Sequence, residues 1–94
     1  MNERKCSTMP YIMQSDREIF GHEIARLNAC NLSEGELNYV ITKLLLNFVE
    51  RKGKSYESLN AIEGILSCVS KEFYRRVTVP YEQEKCRVNG EVFE

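Results

Sequence analysis

From Leu37 to Phe48 the apolar residues Leu37, Val40, Ile41, Leu44, Leu45 and Phe48 return every three or four positions. That spacing lines one side of an α-helix and cannot line one side of a strand. Both ends of the pattern are marked. Ser33 and Glu36 have the spacing of a capping box, in which each side chain satisfies a helix N–H the backbone leaves unpaired. Arg51-Lys52-Gly53 sets cations at the negative helix end, with a glycine just beyond. Residues 34–52 are therefore predicted to be helical, with Leu44 and its neighbours facing a core.

A second pattern begins after Ser55, a further N-cap candidate. Leu59, Ile62, Leu66, Val69 and Phe73 repeat at helical spacing, with Ala61, Ile65 and Cys68 forming a second stripe beside them. A helix over residues 55–78 is thus buried on two sides, Leu66 included. Gly64 in its middle costs roughly 1 kcal/mol relative to Ala, which implies a compensating backbone packed against it. Pro80 has no N–H and crowds the carbonyl four residues earlier, so this helix should stop or kink near Thr78. Pro80 also suits a first helical turn, so a short helix or turn follows to about Arg87 and ends at Asn89-Gly90. The alternative for 87–93 is a small hairpin turning on Asn89-Gly90.

Ahead of these elements, Ser15 and Glu18 again have capping-box spacing, and Phe20, Ile24 and Leu27 follow on one helical face, with Asn31 as a left-handed C-cap. The fold expected is mainly α: three helices at about 16–30, 34–52 and 55–78 in one domain over residues 15–94. Residues 1–14 lack a period and contain Pro10; they are read as a flexible or extended segment. A 23-residue third helix would be roughly 34 Å long, against about 26 Å for a compact domain of this size. Its surplus apolar surface implies self-association through that helix, at least as a dimer.

Composition narrows the partners. Thirteen Lys and Arg against 14 Asp and Glu give a net charge of -1 over 94 residues, with no basic face of the kind duplex nucleic acid requires. The longest apolar run, Val40 to Val49, is interrupted by Thr42, Lys43 and Asn47 and falls well short of the roughly 20 residues of a membrane span. Charges at the N-terminus are followed by no apolar stretch, so no signal peptide is read there and a cytoplasmic location is expected. Cys6, Cys30, Cys68 and Cys86 are widely separated, with no C-x-x-C and a single histidine, so neither a metal site nor a disulfide is expected. They are read as reduced, partly buried thiols.

No catalytic constellation is present. His22 is the only histidine and sits among charges beside Glu23, and no glycine belongs to a phosphate-binding loop. The chain is read as a non-enzyme without a cofactor. Its one basic and aromatic concentration is Tyr74-Arg75-Arg76 with Tyr81, joined by Lys85 and Arg87. Arginine forks suit phosphate and tyrosine faces suit bases, although Glu72, Glu82 and Glu84 lie close enough to pair with the arginines instead. A second polar group, Asn38, Tyr39 and Thr42 with Lys43, lies away from the leucine stripe of the second helix.

Met9-Pro10-Tyr11-Ile12, Glu36-Leu37-Asn38-Tyr39-Val40-Ile41-Thr42, Glu72-Phe73-Tyr74-Arg75-Arg76-Val77 with Pro80-Tyr81-Glu82, and Asn89-Gly90-Glu91-Val92-Phe93 together resemble a family of short uncharacterised bacteriophage and prophage proteins. The likeness runs over residues 9–94. It implies a host-cytoplasm setting, where small non-enzymatic phage proteins often counter host defence. Two functions follow as expectations. One is capture of a small nucleotide immune signal in a pocket between subunits, using Tyr74, Arg75, Arg76 and Tyr81 with Asn38, Tyr39 and Thr42. The other is a helical inhibitor or adaptor that binds a host defence protein and takes no small ligand.

Overall fold

The computed structural model describes residues 12–93, and the expectation of an extended N-terminal segment therefore falls mostly outside the described residues. Its elements are α1 (Gln14–Arg17), a 3₁₀ turn (Glu18–Phe20), α2 (Gly21–Ala29), α3 (Glu34–Lys52), α4 (Tyr56–Phe73), a π-helical turn (Tyr74–Thr78) and α5 (Val79–Asn89). The mainly α fold class is as expected, and the described residues contain no strand. Contacts divide the chain into two units whose boundary falls within α3, between Ile41 and Thr42.

In the first unit the expected start at Asp16 is displaced. Met13 holds an extended conformation and its carbonyl accepts from Asp16 N–H at 2.9 Å and Arg17 N–H at 3.2 Å, so Met13 is the cap. Ser15 lies inside α1 and cannot form the capping box read from its spacing to Glu18. The first helix is also not continuous: it tightens into the 3₁₀ turn and restarts at Gly21, after Phe20 leaves helical geometry. The end of α2 closes with short-range bonds, Cys30 N–H to Leu27 O at 3.0 Å and Asn31 N–H to Asn28 O at 3.2 Å. Asn31 then turns left-handed at φ +54°. Asparagine tolerates that region better than other residues with a Cβ. The second capping box forms as read: Ser33 N–H donates to Glu36 Oε1 at 2.9 Å and Glu36 N–H to Ser33 Oγ at 3.2 Å.

The second unit takes the remainder of α3 through to the C-terminal segment. Gly53, at φ +94°, ends α3 with its N–H on Val49 O at 2.8 Å. The Arg51 guanidinium and the Lys52 ammonium both sit over the Phe48 ring, 5.6 and 5.7 Å from its centroid. Ser55 caps α4 through a capping box whose second member is Ser58, not a glutamate. At the far end Pro80 does not stop the helix. The backbone passes through a π turn in which Val79 N–H donates to Tyr74 O, five residues back, and continues as α5. Widening by one residue relieves the clash between the proline ring and the preceding turn. Helix persists to Asn89 and Gly90 closes it at φ +97°, so the hairpin reading of 87–93 is incorrect.

The largest departure concerns burial. Among the described residues no apolar side chain is buried, and Ser58 alone is, at 6% exposure. Leu44, expected in a core, is 65% exposed, and Leu66 is 38% exposed. Cys68 is exposed as well. Among the described residues nothing lies within 4 Å of a Cβ built on Gly64, so none of them supplies the close backbone inferred there. The helical stripes are formed as read, but their apolar side chains are not buried among the described residues. Leu59, Ile65, Leu66, Val69, Phe73 and Val77 are each left about half exposed. Full burial of such a side chain contributes about 1.5–3 kcal/mol. The six together therefore forgo on the order of 5 kcal/mol, as much as the whole net stability of many small domains.

Candidate functional site

The π turn carries the basic and aromatic cluster. A run of Tyr74, Arg75 and Arg76 occupies its first three positions, and Tyr81 follows in the first turn of α5. Tyr74 and Tyr81 are both largely exposed. Arg75 Nη2 donates to Glu72 Oε1 at 2.6 Å, and Arg76 Nη1 lies 3.9 Å from Glu72 Oε2. One carboxylate thus holds two guanidiniums, leaving net positive charge at the turn. The Lys85 ammonium sits 5.6 Å from the centroid of the Tyr81 ring, adding a third cation to the same stretch. Arg87 is withdrawn from the group by a forked pair with Glu84, at 3.2 Å through Nε.

The turn also frees an acceptor. The Arg75 carbonyl would take its helical hydrogen bond from Val79 or, in π geometry, from residue 80. Val79 N–H goes to Tyr74 and Pro80 has no N–H. Hence the turn that carries the two exposed guanidiniums also contains a main-chain acceptor that has lost both regular helical donors, with tyrosines before and after the proline. Exposed ion pairs of this kind contribute about 0–1 kcal/mol, whereas a charge-assisted hydrogen bond to a phosphate contributes about 1.5–3 kcal/mol.

A family model described as a domain of unknown function, DUF6899, matches residues 9–92. The chain belongs to that family. No curated protein and no solved structure matches the chain.

The other sequence-derived site residues fall elsewhere. Asn38, Tyr39 and Thr42 all lie on α3, with Tyr39 largely exposed. Asn38 and Tyr39 belong to the first unit and Thr42 to the second. In the second unit α3 makes no extensive packing against the π turn, and Thr42 is not gathered into the arginine cluster. His22 is exposed on α2. Among the described residues no group of three His, Cys, Asp or Glu side chains is arranged to hold a metal. No helix among them is long and apolar enough to cross a membrane.

Sequence reasoning missed the corner between α3 and α4. Ser58 Oγ donates to Gly53 O at 2.7 Å and accepts from Ser55 N–H at 3.0 Å, while Ser58 N–H donates to Ser55 Oγ at 3.2 Å. Both serines line a pocket of about 240 Å³ together with Phe48, Lys52, Glu57 and Ala61. A Ser-x-x-Ser spacing was the available signal, weaker than Ser-x-x-Glu because serine reaches back only when the corner is tight. The C-terminal segment is ordered by its own acid. Glu91 accepts from Val92 N–H at 2.8 Å and Phe93 N–H at 3.2 Å. Those backbone donors, Phe93 first, hold its carboxyl below the ordinary value of 4.5. The neighbouring Cys86 thiol is pushed up, by partial desolvation first and then by Glu91.

Proposed function

We propose that this DUF6899 chain is a non-catalytic binding protein that assembles with further copies of itself and captures a small nucleotide signal between subunits. The reading is carried by the π turn, where Arg75 and Arg76 share one carboxylate, Glu72, beside the rings of Tyr74 and Tyr81. That set offers charge-assisted donors for phosphate, an aromatic face for a base and, at the Arg75 carbonyl, an acceptor without its regular helical donors. Assembly is supported by the uncovered stripes of α4: water contact at Leu66, Val69 and Phe73 is removed most simply by another copy. Asn38, Tyr39 and Thr42 reach the ligand, on this reading, from another subunit. The resemblance to phage proteins supports a role in the host cytoplasm against a nucleotide-signalled defence.

Bound nucleotide is the first observation to make. The chain contains no Trp and 5 Tyr, so its own ultraviolet absorbance is weak and co-purified nucleotide raises the absorbance near 260 nm. Calorimetric titration with cyclic and linear nucleotides then compares the parent with Arg75→Ala, Arg76→Ala and Tyr81→Ala. Loss of one charge-assisted contact weakens binding by about 1.5–3 kcal/mol, roughly tenfold or more. Absence of heat with every nucleotide, or affinities unchanged by these substitutions, overturns the nucleotide reading and leaves a helical inhibitor or adaptor of a host protein as the function to test.

A further inference from the structure

The pocket at the α3–α4 corner is smaller than the roughly 300–1,000 Å³ of sites that enclose small-molecule ligands. Its size suits one side chain. Phe48 and Ala61 supply its apolar part; Lys52 also lines it, with Arg51 over the same Phe48 ring and Lys54 close in sequence, and Glu57 is the one acid in the lining. In the same unit, the segment after Gly90 is the most exposed apolar feature among the described residues, with Val92 82% and Phe93 92% accessible. It is flanked by Glu91 and, in sequence, by Glu94, so an aromatic side chain between two acids is matched by a small pocket of mixed polarity that joins the Phe48 ring and Ala61 to the Lys52 cation.

The segment cannot serve its own pocket. Helical backbone runs without interruption from Tyr56 to Asn89, and the 28 residues from Ala61 to Asn89 rise by about 42 Å. Residues 90–93, even fully extended, return at most about 14 Å of that. A segment from another chain has no such restriction. We propose that Phe93 of one copy docks in the Phe48–Ala61 pocket of a second copy, with Glu91 facing the Arg51–Lys54 cations. This inference rests on the self-association reading above and adds to it a specific contact.

The test uses two full-length variants in which the four cysteines are replaced by serine. One carries Val92→Cys and the other Glu57→Cys, and they are mixed under mild oxidation. A disulfide between them requires Cα atoms within about 7 Å, so docking makes it form faster and in higher yield than with a control Cys placed at exposed His22. In parallel, sedimentation compares the parent with Phe93→Ala, a change at an exposed position that leaves the helices intact. The expected results are a cross-linked heterodimer and a dissociation midpoint raised by at least about tenfold. A parent that associates, without the cross-link and with Phe93→Ala unchanged, overturns the docking alone. A monomeric parent overturns both the docking and the assembly.

Discussion

Replacing Ser58 with alanine tests the corner that joins α3 to α4. The Ser58 hydroxyl is the only buried group among the described residues; it donates to Gly53 O at 2.7 Å and receives Ser55 N–H at 3.0 Å. Ser58→Ala removes both bonds but leaves Gly53 and Ser55 near solvent, where water partly substitutes. The cost is therefore expected at about 1–2 kcal/mol, the upper part of the range for losing a helix cap. Ser55→Ala removes a different member of the same box, the acceptor for Ser58 N–H, and should cost about 1 kcal/mol. Because the two hydroxyls complete one motif, the double variant should fall short of the sum by at least about 0.5 kcal/mol. Thermal melts at one fixed protein concentration read this directly, since for a chain of this size each 1 kcal/mol moves the midpoint by about 4–8 °C. A Ser58→Ala variant that melts with the parent, or additive single costs, would refute the view that this serine knot holds the corner.

Pro80→Ala restores an N–H to the π turn and lets it contract to regular helix; melting should rise while nucleotide affinity falls, because α5 and Tyr81 rotate relative to Arg75. Val69→Asp places a charge on the uncovered stripe of α4 and should shift the sedimenting species toward the 11.0 kDa monomer at micromolar concentration. His22→Ala, at an exposed position, should change stability by less than about 0.5 kcal/mol in the same melts. The Glu91 carboxyl is depressed by its hydrogen bonds to Phe93 and Val92, so its contribution to the C-terminal turn is present above the ordinary carboxylate value of 4.5 and lost as pH falls through the lower folded value. Amide resonances of Val92 and Phe93 followed by NMR should move in that acid range, and in Glu91→Gln they should not.

Helix ends were legible in the sequence wherever the chemistry that makes them is local. Ser33 with Glu36, Asn31, Gly53 and Ser55 act over three or four residues, and each does in the structure what its spacing implied. Ser15 failed because Met13 took the cap two residues earlier, a competition that spacing alone does not rank. Pro80 announced a disturbance near Thr78, but whether the helix stopped, kinked or widened depended on the balance between ring clash and continued hydrogen bonding, and the π turn resolved it. The arginine–tyrosine cluster could be named from sequence; that Glu72 ties both arginines while Lys85 goes to Tyr81 required coordinates. Burial was the least legible quantity. Apolar periodicity states which face of a helix avoids water but not what covers it. Among the described residues the stripes through Leu44, Leu66 and Val69 stay exposed, because packing is a property of neighbouring surfaces and the sequence of one helix specifies only its own.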